Sequence, residues 1–250
     1  MLELKNISAG YGNRNILEDV TATFEKGKLT SIIGVNGCGK STLLKAILGI
    51  LPITQGSITI DGEELSSLNR NGIAQRAAYL AQGKNTPDMT VMQMVLHGRF
   101  PYLSYPRRYS RRDRNIAYAA MEKAGVAHLS ELPMNSLSGG MRQNAYIAMA
   151  LAQDTDYILL DEPTAYLDIS HQRTLMKTLR ELAGEGKGVV AVLHDLPMAF
   201  DFSDELAVLH GGRIALRDTP QRVSASCEIE DIFGVKIRYL ESERKYIYTV

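Results

Sequence analysis

Three features of this 250-residue chain predict an α/β fold. The apolar run Leu29-Thr30-Ser31-Ile32-Ile33 passes through a glycine-rich loop into Ser41-Thr42-Leu43-Leu44-Lys45-Ala46-Ile47-Leu48, a buried strand, a loop and a helix in succession. After Gly140, helical and strand-like patterns alternate, which argues for a parallel sheet. Between about Asn85 and Asn135 the pattern is helical, which marks an inserted helical subdomain.

Short β-like runs at Leu2–Asn6 and Ile16–Phe24 precede the glycine-rich loop, and Ser57–Asp61 follows its helix, closed by the turn residues Asp61-Gly62. Ala77–Ala81 reads as a further strand. In the inserted segment, helical patterning covers Val91–His97, Ser110–Ala124 and a short piece near Ala127–Leu132. Pro87, Pro101, Pro106 and Pro133 punctuate it, because proline disfavours helix at the residue before it. Ser110 and Asp113 give the second helix a capping-box-like start. Beyond the helix after Gly140, Tyr157–Asp161 is an apolar strand, Ser170 to about Ala183 a helix, and Gly188–Leu193 another strand. Glu205–His210 and Arg213–Leu216 flank Gly211-Gly212 as a β-hairpin. From Gln221 onward two β-like runs, Val235–Leu240 and Tyr246–Val250, carry no chemical motif. The expected layout is a single domain over 1–250, with a core from 1–84 and 136–220, a helical subdomain at 85–135 and a C-terminal extension at 221–250.

Lys plus Arg equals Asp plus Glu at 28 each, so the net charge is zero, which argues against a nucleic-acid-binding domain. No stretch approaches the roughly 18 consecutive apolar residues needed to span a bilayer. The chain opens on strand-like Leu2-Glu3-Leu4 and not on a signal peptide, so a cytoplasmic location is expected. Cys38 lies inside the glycine-rich loop, where a disulfide to Cys227, the other cysteine, would obstruct a ligand; both are expected reduced.

The loop from Ile33 to Thr42 reads Ile-Gly-Val-Asn-Gly-Cys-Gly-Lys-Ser-Thr, the G-x-x-x-x-G-K-S pattern of a phosphate-binding loop. A multiply charged phosphate needs many donors at close range, and backbone N–H groups surround it only where side chains do not intrude. Gly34, Gly37 and Gly39 give that clearance, and the helix that follows points its positive end at the anion. Lys40 is placed to reach the β and γ oxygens of a nucleoside triphosphate and Ser41 to ligate Mg²⁺; Asn36, Cys38 and Thr42 complete the loop. Asp161 ends an apolar strand, so its carboxylate emerges at the carboxyl edge of the sheet, where open α/β folds bind ligands.

Four further segments follow in a fixed order. Gln82 follows a strand, Leu137-Ser138-Gly139-Gly140 opens a helix, Tyr157-Ile158-Leu159-Leu160-Asp161-Glu162 is a strand ending in two carboxylates, and His194 follows a strand. With the phosphate loop they resemble the nucleotide-binding subunits of ABC transporters over nearly the whole chain. The resemblance implies a P-loop, RecA-like ABC ATPase core with an antiparallel β layer and the inserted helical subdomain. It makes Asp161 the Walker B aspartate holding Mg²⁺, Glu162 the residue that orients or deprotonates the attacking water, and His194 a switch histidine at the γ-phosphate. Gln82 contacts Mg²⁺ or its water and reports nucleotide state to the helical subdomain, and Tyr11 stacks on adenine; since stacking tolerates either purine, ATP is expected first and GTP stays open. Ser138, Gly139 and Gly140 match the signature that closes over ATP bound by another subunit, and Asp168 matches the D-loop at that interface. Met141 stands where glutamine is usual and Asn144 where arginine is common.

Tyr166-Leu167-Asp168-Ile169-Ser170-His171-Gln172, His97-Gly98-Arg99-Phe100-Pro101 and Ala148–Gln153 resemble the ATPases of bacterial iron-siderophore, haem and cobalamin importers. The expected function is therefore an ATP-hydrolysing homodimer, head to tail, on the cytoplasmic face of the membrane. It would drive two transmembrane permease subunits served indirectly by an extracytoplasmic solute-binding protein, with no nucleic acid involved. The alternative is a soluble ABC ATPase in cofactor assembly or DNA maintenance. Arg107, Arg108, Arg111, Arg112 and Arg114 form the densest charge in the chain, either a solvated face or a contact with acidic permease loops or anionic headgroups.

Overall fold

The computed structural model describes residues 1–83, 86–165, 167–243 and 245–249. The expected boundary between 84 and 85, Tyr166 of the lineage segment and Val250 of the last β-like run lie outside them. The chain begins with β1 (Leu2–Tyr11), β2 (Arg14–Phe24) and β3 (Leu29–Ile33), followed by α1 (Lys40–Ile47), β4 (Ile53–Ile60), β5 (Glu63–Glu64), α2 (Arg70–Ala74) and β6 (Ala77–Leu80). The inserted segment holds α3 (Val91–Leu96) and α4 (Arg111–Lys123). Then come α5 (Gly139–Ala152), β7 (Tyr157–Asp161), α6 (Ile169–Gly184), β8 (Gly188–Val192), α7 (Leu196–Phe202), β9 (Glu205–His210) and β10 (Arg213–Asp218). α8 (Pro220–Ser224), α9 (Cys227–Phe233), β11 (Lys236–Leu240) and β12 (Lys245–Thr249) close the chain.

One sheet is antiparallel, in the order β2-β1-β4-β5. The other runs β10-β9-β3-β8-β7-β6, parallel from β9 to β6 with β10 antiparallel at the edge. β3, β7 and β8 are buried at every position, as strands covered on both faces must be. On one face Leu43, Leu44 and Ile47 of α1 fill the space between the sheets, against Leu4, Leu17 and Phe24 on one side and Ile32, Leu159 and Val192 on the other. On the opposite face Leu175, Met176 and Leu179 of α6 pack on Ile33, Ile158 and Val189. This sandwiching fixes where β3 and β7 end, and hence where the phosphate loop and Asp161 emerge.

Several elements differ from the sequence expectation for identifiable reasons. β1 runs on past Asn6, whose φ of 50° breaks the alternation with a bulge. β4 starts at Ile53, because Gly56 (φ 80°) interrupts the pattern that marked only Ser57 onward. The expected helix to His97 ends at Leu96 and tightens into a 3₁₀ stretch, His97–Tyr102, containing Pro101. The piece near Ala127–Leu132 is a single 3₁₀ turn, Ala127–Leu129. Two helices, α8 and α9, precede the C-terminal hairpin where only β-like runs were expected; Pro220, the Ser226 cap and Gly234 at φ 66° mark their ends.

Ser110 and Asp113 form a complete capping box on α4. Asp113 also receives the Nε of Arg99 at 3.2 Å, while another guanidinium nitrogen donates to Ala152 O at 2.9 Å and the group stacks on Tyr102 at 4.0 Å. Gly98 permits this approach, since a Cβ there would lie 2.2 Å from Met149 O. The His97–Pro101 motif thus ties α4 to α5. The five arginines that flank and open α4 are exposed, and among the described residues Arg107 stacks on Phe100 at 4.5 Å.

Replacing Arg99 by Met should therefore strip a buried carboxylate of its cation and cost about 3 kcal/mol of unfolding free energy in a denaturant titration. Burial pushes the Asp113 carboxyl up, but the Ser110 hydroxyl and amide and the Arg99 guanidinium outweigh it and hold it below its ordinary 3.8. A depressed carboxyl contributes stability that is present above its unfolded value and lost as pH falls through the lower folded one. With Arg99 gone the folded value rises, so acid unfolding of the variant should begin at higher pH than in the parent.

Candidate functional site

The phosphate loop leaves β3 at a position only glycine can occupy: a Cβ on Gly34 would lie 2.2 Å from Leu209 O of β9 and 2.7 Å from Cys38 Sγ. Gly37 (φ 79°) and Gly39 (φ 109°) bend the loop through left-handed conformations into α1. No side chain caps α1, so its first-turn amides remain available to an anion. Lys40 is 5% exposed and arches back across the loop, its Nζ donating to Gly34 O at 2.8 Å and Val35 O at 3.1 Å.

β7 lies between β8 and β6 and delivers the two carboxylates. Asp161 is buried; its Oδ1 accepts from Ser41 Oγ at 3.0 Å and its Oδ2 from Tyr79 OH at 3.2 Å. Burial, with the charge of Glu162 adding to it, pushes the Asp161 carboxyl above its usual range despite the two hydroxyl bonds. Glu162 takes φ 52°, a left-handed backbone that costs a non-glycine residue about 1–2 kcal/mol and turns its side chain away from the strand direction. Its Oε1 meets His194 Nε2 at 2.5 Å and its Oε2 accepts from Gln82 Nε2 at 2.6 Å. The three residues follow three adjacent strands, so sheet order alone brings them together.

Tyr11, at the end of β1, is half exposed and shares a pocket of about 270 Å³ with Ile16, Asn36, Gly37, Gly39, Lys40, Ser41, Thr42, Glu162 and His194. The remaining expected site residues are elsewhere. Ser138 caps α5, its Oγ accepting from Met141 N at 3.3 Å, and Asp168 caps α6 through His171 N at 2.9 Å. Neither they nor Gly139 and Gly140 line the Lys40 pocket; Gly139 borders a separate cavity of about 420 Å³ with Gly83, Arg142, Gln143 and Ala165. Two neighbours of the site carried no sequence signal. Tyr79 reaches Asp161 only through the pairing of β6 with β7, and Ile16 enters the pocket from β2.

The donor set suits a hard cation held with a phosphate. Ser41 and Asp161 supply oxygen ligands, and no group of three or more His, Cys, Asp or Glu among the described residues forms an all-protein cage. Mg²⁺ matches this arrangement, since it is commonly bound by one or two protein oxygens, substrate phosphates and water. Both cysteines are free. Burial pushes the Cys38 thiol up although Lys40 opposes it, so the thiol is protonated at neutral pH. Cys38→Ser should keep the loop and leave steady-state ATP hydrolysis within a few fold of the parent.

The chain matches the ABC transporter family over residues 17–165, more than half its length. It is 39% identical over 237 residues to the petrobactin import ATP-binding protein FpuD of Bacillus anthracis, covering 94% of this chain and 87% of that one. It is 38% identical over 239 residues to the ferric enterobactin transport ATP-binding protein FepC of Escherichia coli K12, covering 95% and 88%. The hemin import ATP-binding protein HmuV of Pseudomonas fluorescens Pf0-1 is 38% identical over 244 residues, covering 95% and 94%. Among solved structures, the dimeric bacterial ABC transporter cassette MJ0796 superimposes with a TM-score of 0.77 at 29% identity, covering 88% of this chain and 99% of that one. A glycine-lined phosphate loop facing a strand-end carboxylate pair, in a chain so similar along its length to these proteins, has one family reading: the chain belongs to the ABC transporter family and is one of its ATPases.

Proposed function

We propose that this chain is the ATP-hydrolysing subunit of an importer for an iron chelate, such as a siderophore or haem, or for a related metal complex. The observation that carries the cargo class is that three relatives, each matched along most of its length, are named for petrobactin, ferric enterobactin and hemin. The chain would act as a head-to-tail homodimer on the cytoplasmic face, under two permease subunits supplied by an extracytoplasmic binding protein. A dimeric cassette among the structural neighbours supports the pairing, and no helix among the described residues is long and apolar enough to cross a membrane.

In this reading Tyr11 stacks on the adenine, and the amides of Gly37 to Thr42 cradle the phosphates. Lys40 exchanges its loop carbonyls for the β and γ oxygens. Ser41 and Asp161 hold Mg²⁺, which neutralises charge developing on the phosphates. Glu162 takes the proton of the water that attacks the γ-phosphorus. His194 fixes one oxygen of Glu162, and Gln82 holds the other and so couples its loop to the bound state. Ser138, Gly139 and Gly140 of one copy close on the γ-phosphate held by the other, with Asp168 alongside.

The test is uptake. Cells lacking the chain should fail to accumulate iron from radiolabelled ferric siderophore or haem, and a plasmid copy should restore uptake where a Glu162→Gln copy does not. The chain should also co-purify with a polytopic membrane protein. Unchanged uptake of every chelate, or co-purification with a soluble scaffold alone, would overturn the assignment.

A further inference from the structure

The segment Leu167–Gln172 matched a lineage in the sequence, yet the mechanism above leaves His171 without a task. Asp168 Oδ1 accepts from the His171 amide at 2.9 Å, and Asp168 Oδ2 meets His171 Nδ1 at 2.7 Å. The amide bond and then the ring bond hold the Asp168 carboxyl below its usual range, so it is an acceptor and the ring proton sits on Nδ1. The far edge of the same imidazole covers Gly140. A Cβ on Gly140 would lie 3.0 Å from His171 Cδ2 and 3.3 Å from both Cγ and Nε2. One side chain therefore touches both segments assigned to the subunit interface.

Gly139-Gly140 has the greatest backbone freedom of any dipeptide, and the Ser138 cap restrains it through a bond of 3.3 Å. Freedom left in that turn must be lost when a phosphate is clamped, which weakens the closed state. Nearby contacts steady the supports of the turn: Gln143 Nε2 donates to Pro163 O at 2.8 Å and Gln172 Nε2 to Thr164 O at 3.1 Å. The three atoms nearest the Cβ position of Gly140, outside the helix's own backbone, all belong to the imidazole ring.

We propose that His171 is a positioning residue for ATP hydrolysis: held by Asp168, its ring fixes Gly140, so that both present one rigid surface to nucleotide bound by a second copy of the chain. The proposal rests on the head-to-tail reading. His171→Ala removes both contacts. His171→Asn keeps a donor where Nδ1 stands but takes away the ring edge over Gly140; the cap on α6 uses the backbone amide of residue 171 and survives in both variants.

Steady-state hydrolysis by the purified chain, binding of a fluorescent ATP analogue and thermal melting should be measured for both variants. Each should lose about tenfold in kcat, equivalent to 1.36 kcal/mol in the barrier, while nucleotide affinity and melting stay at parental values. Parental kcat in His171→Ala, full recovery in His171→Asn, or a kcat loss matched by lower melting or affinity would each show that the ring over Gly140 does not position the site and overturn the proposal. Ser138→Arg separates the two ideas. If that variant hydrolyses like the parent, the head-to-tail reading fails; if it is inactive while both His171 variants are normal, the assignment of His171 alone fails.

Discussion

Glu162→Gln should stop ATP hydrolysis, by a hundredfold or more, and leave ATP binding intact. General-base contributions of about 10²–10⁴ set the scale. The substitution suits the local geometry. Gln82 donates to one Glu162 oxygen, and a glutamine carbonyl can accept the same bond; its amide NH₂ can donate to His194 Nε2 in the neutral tautomer. Shape and hydrogen bonding survive while the proton acceptor is lost. In the head-to-tail reading this variant accumulates a nucleotide-bound dimer, seen as an earlier-eluting species with MgATP in size-exclusion chromatography. Adding Ser138→Arg places bulk and charge on the turn proposed to clamp the partner's nucleotide, which does not line the chain's own Lys40 pocket, and should return the protein to monomer. A tight ATP dimer persisting in the double variant would show that the Ser138 turn is not at the interface.

Lys40→Ala should abolish turnover and weaken ATP binding, through loss of the main cationic contact to the β and γ phosphates. The buried ammonium also bridges Gly34 O and Val35 O, so its removal withdraws two donors from the loop. Melting of the ligand-free variant reports the bracing, and titration with a fluorescent ATP analogue reports phosphate recognition. Parental hydrolysis in this variant would refute the loop's assignment.

Much of the site was legible because its chemistry depends on short fixed spacings. The glycines of the phosphate loop, the Asp161-Glu162 pair and the strand-end positions of Gln82 and His194 all follow from residue type beside an apolar run. What was not legible depends on the third dimension. Nothing along the chain states that β8 lies between β3 and β7, which sets Glu162 beside His194, or that Tyr79 faces Asp161 across the β6–β7 pairing. α2, α7, α8 and α9 span 5 to 7 residues each, too few for a helical period to declare itself. Asn6 and Gly56, both left-handed, face each other at one bulge between β1 and β4, and each resets the alternation along its own strand.

Gly34 sits so close to Leu209 O that the phosphate loop and the β9–β10 ribbon form one solid piece, and Lys40 locks the loop from inside. The ordering cost of the loop backbone is thus met at folding, and the rearrangement left for an arriving phosphate is the release of Lys40 from Gly34 O and Val35 O. In the proposed reading a γ-phosphate is what lets Lys40 on the loop and Glu162 with His194 on the opposite wall act on one group, and the bonds of Glu162 to Gln82 and His194 tie the loops after β6, β7 and β8 to its presence.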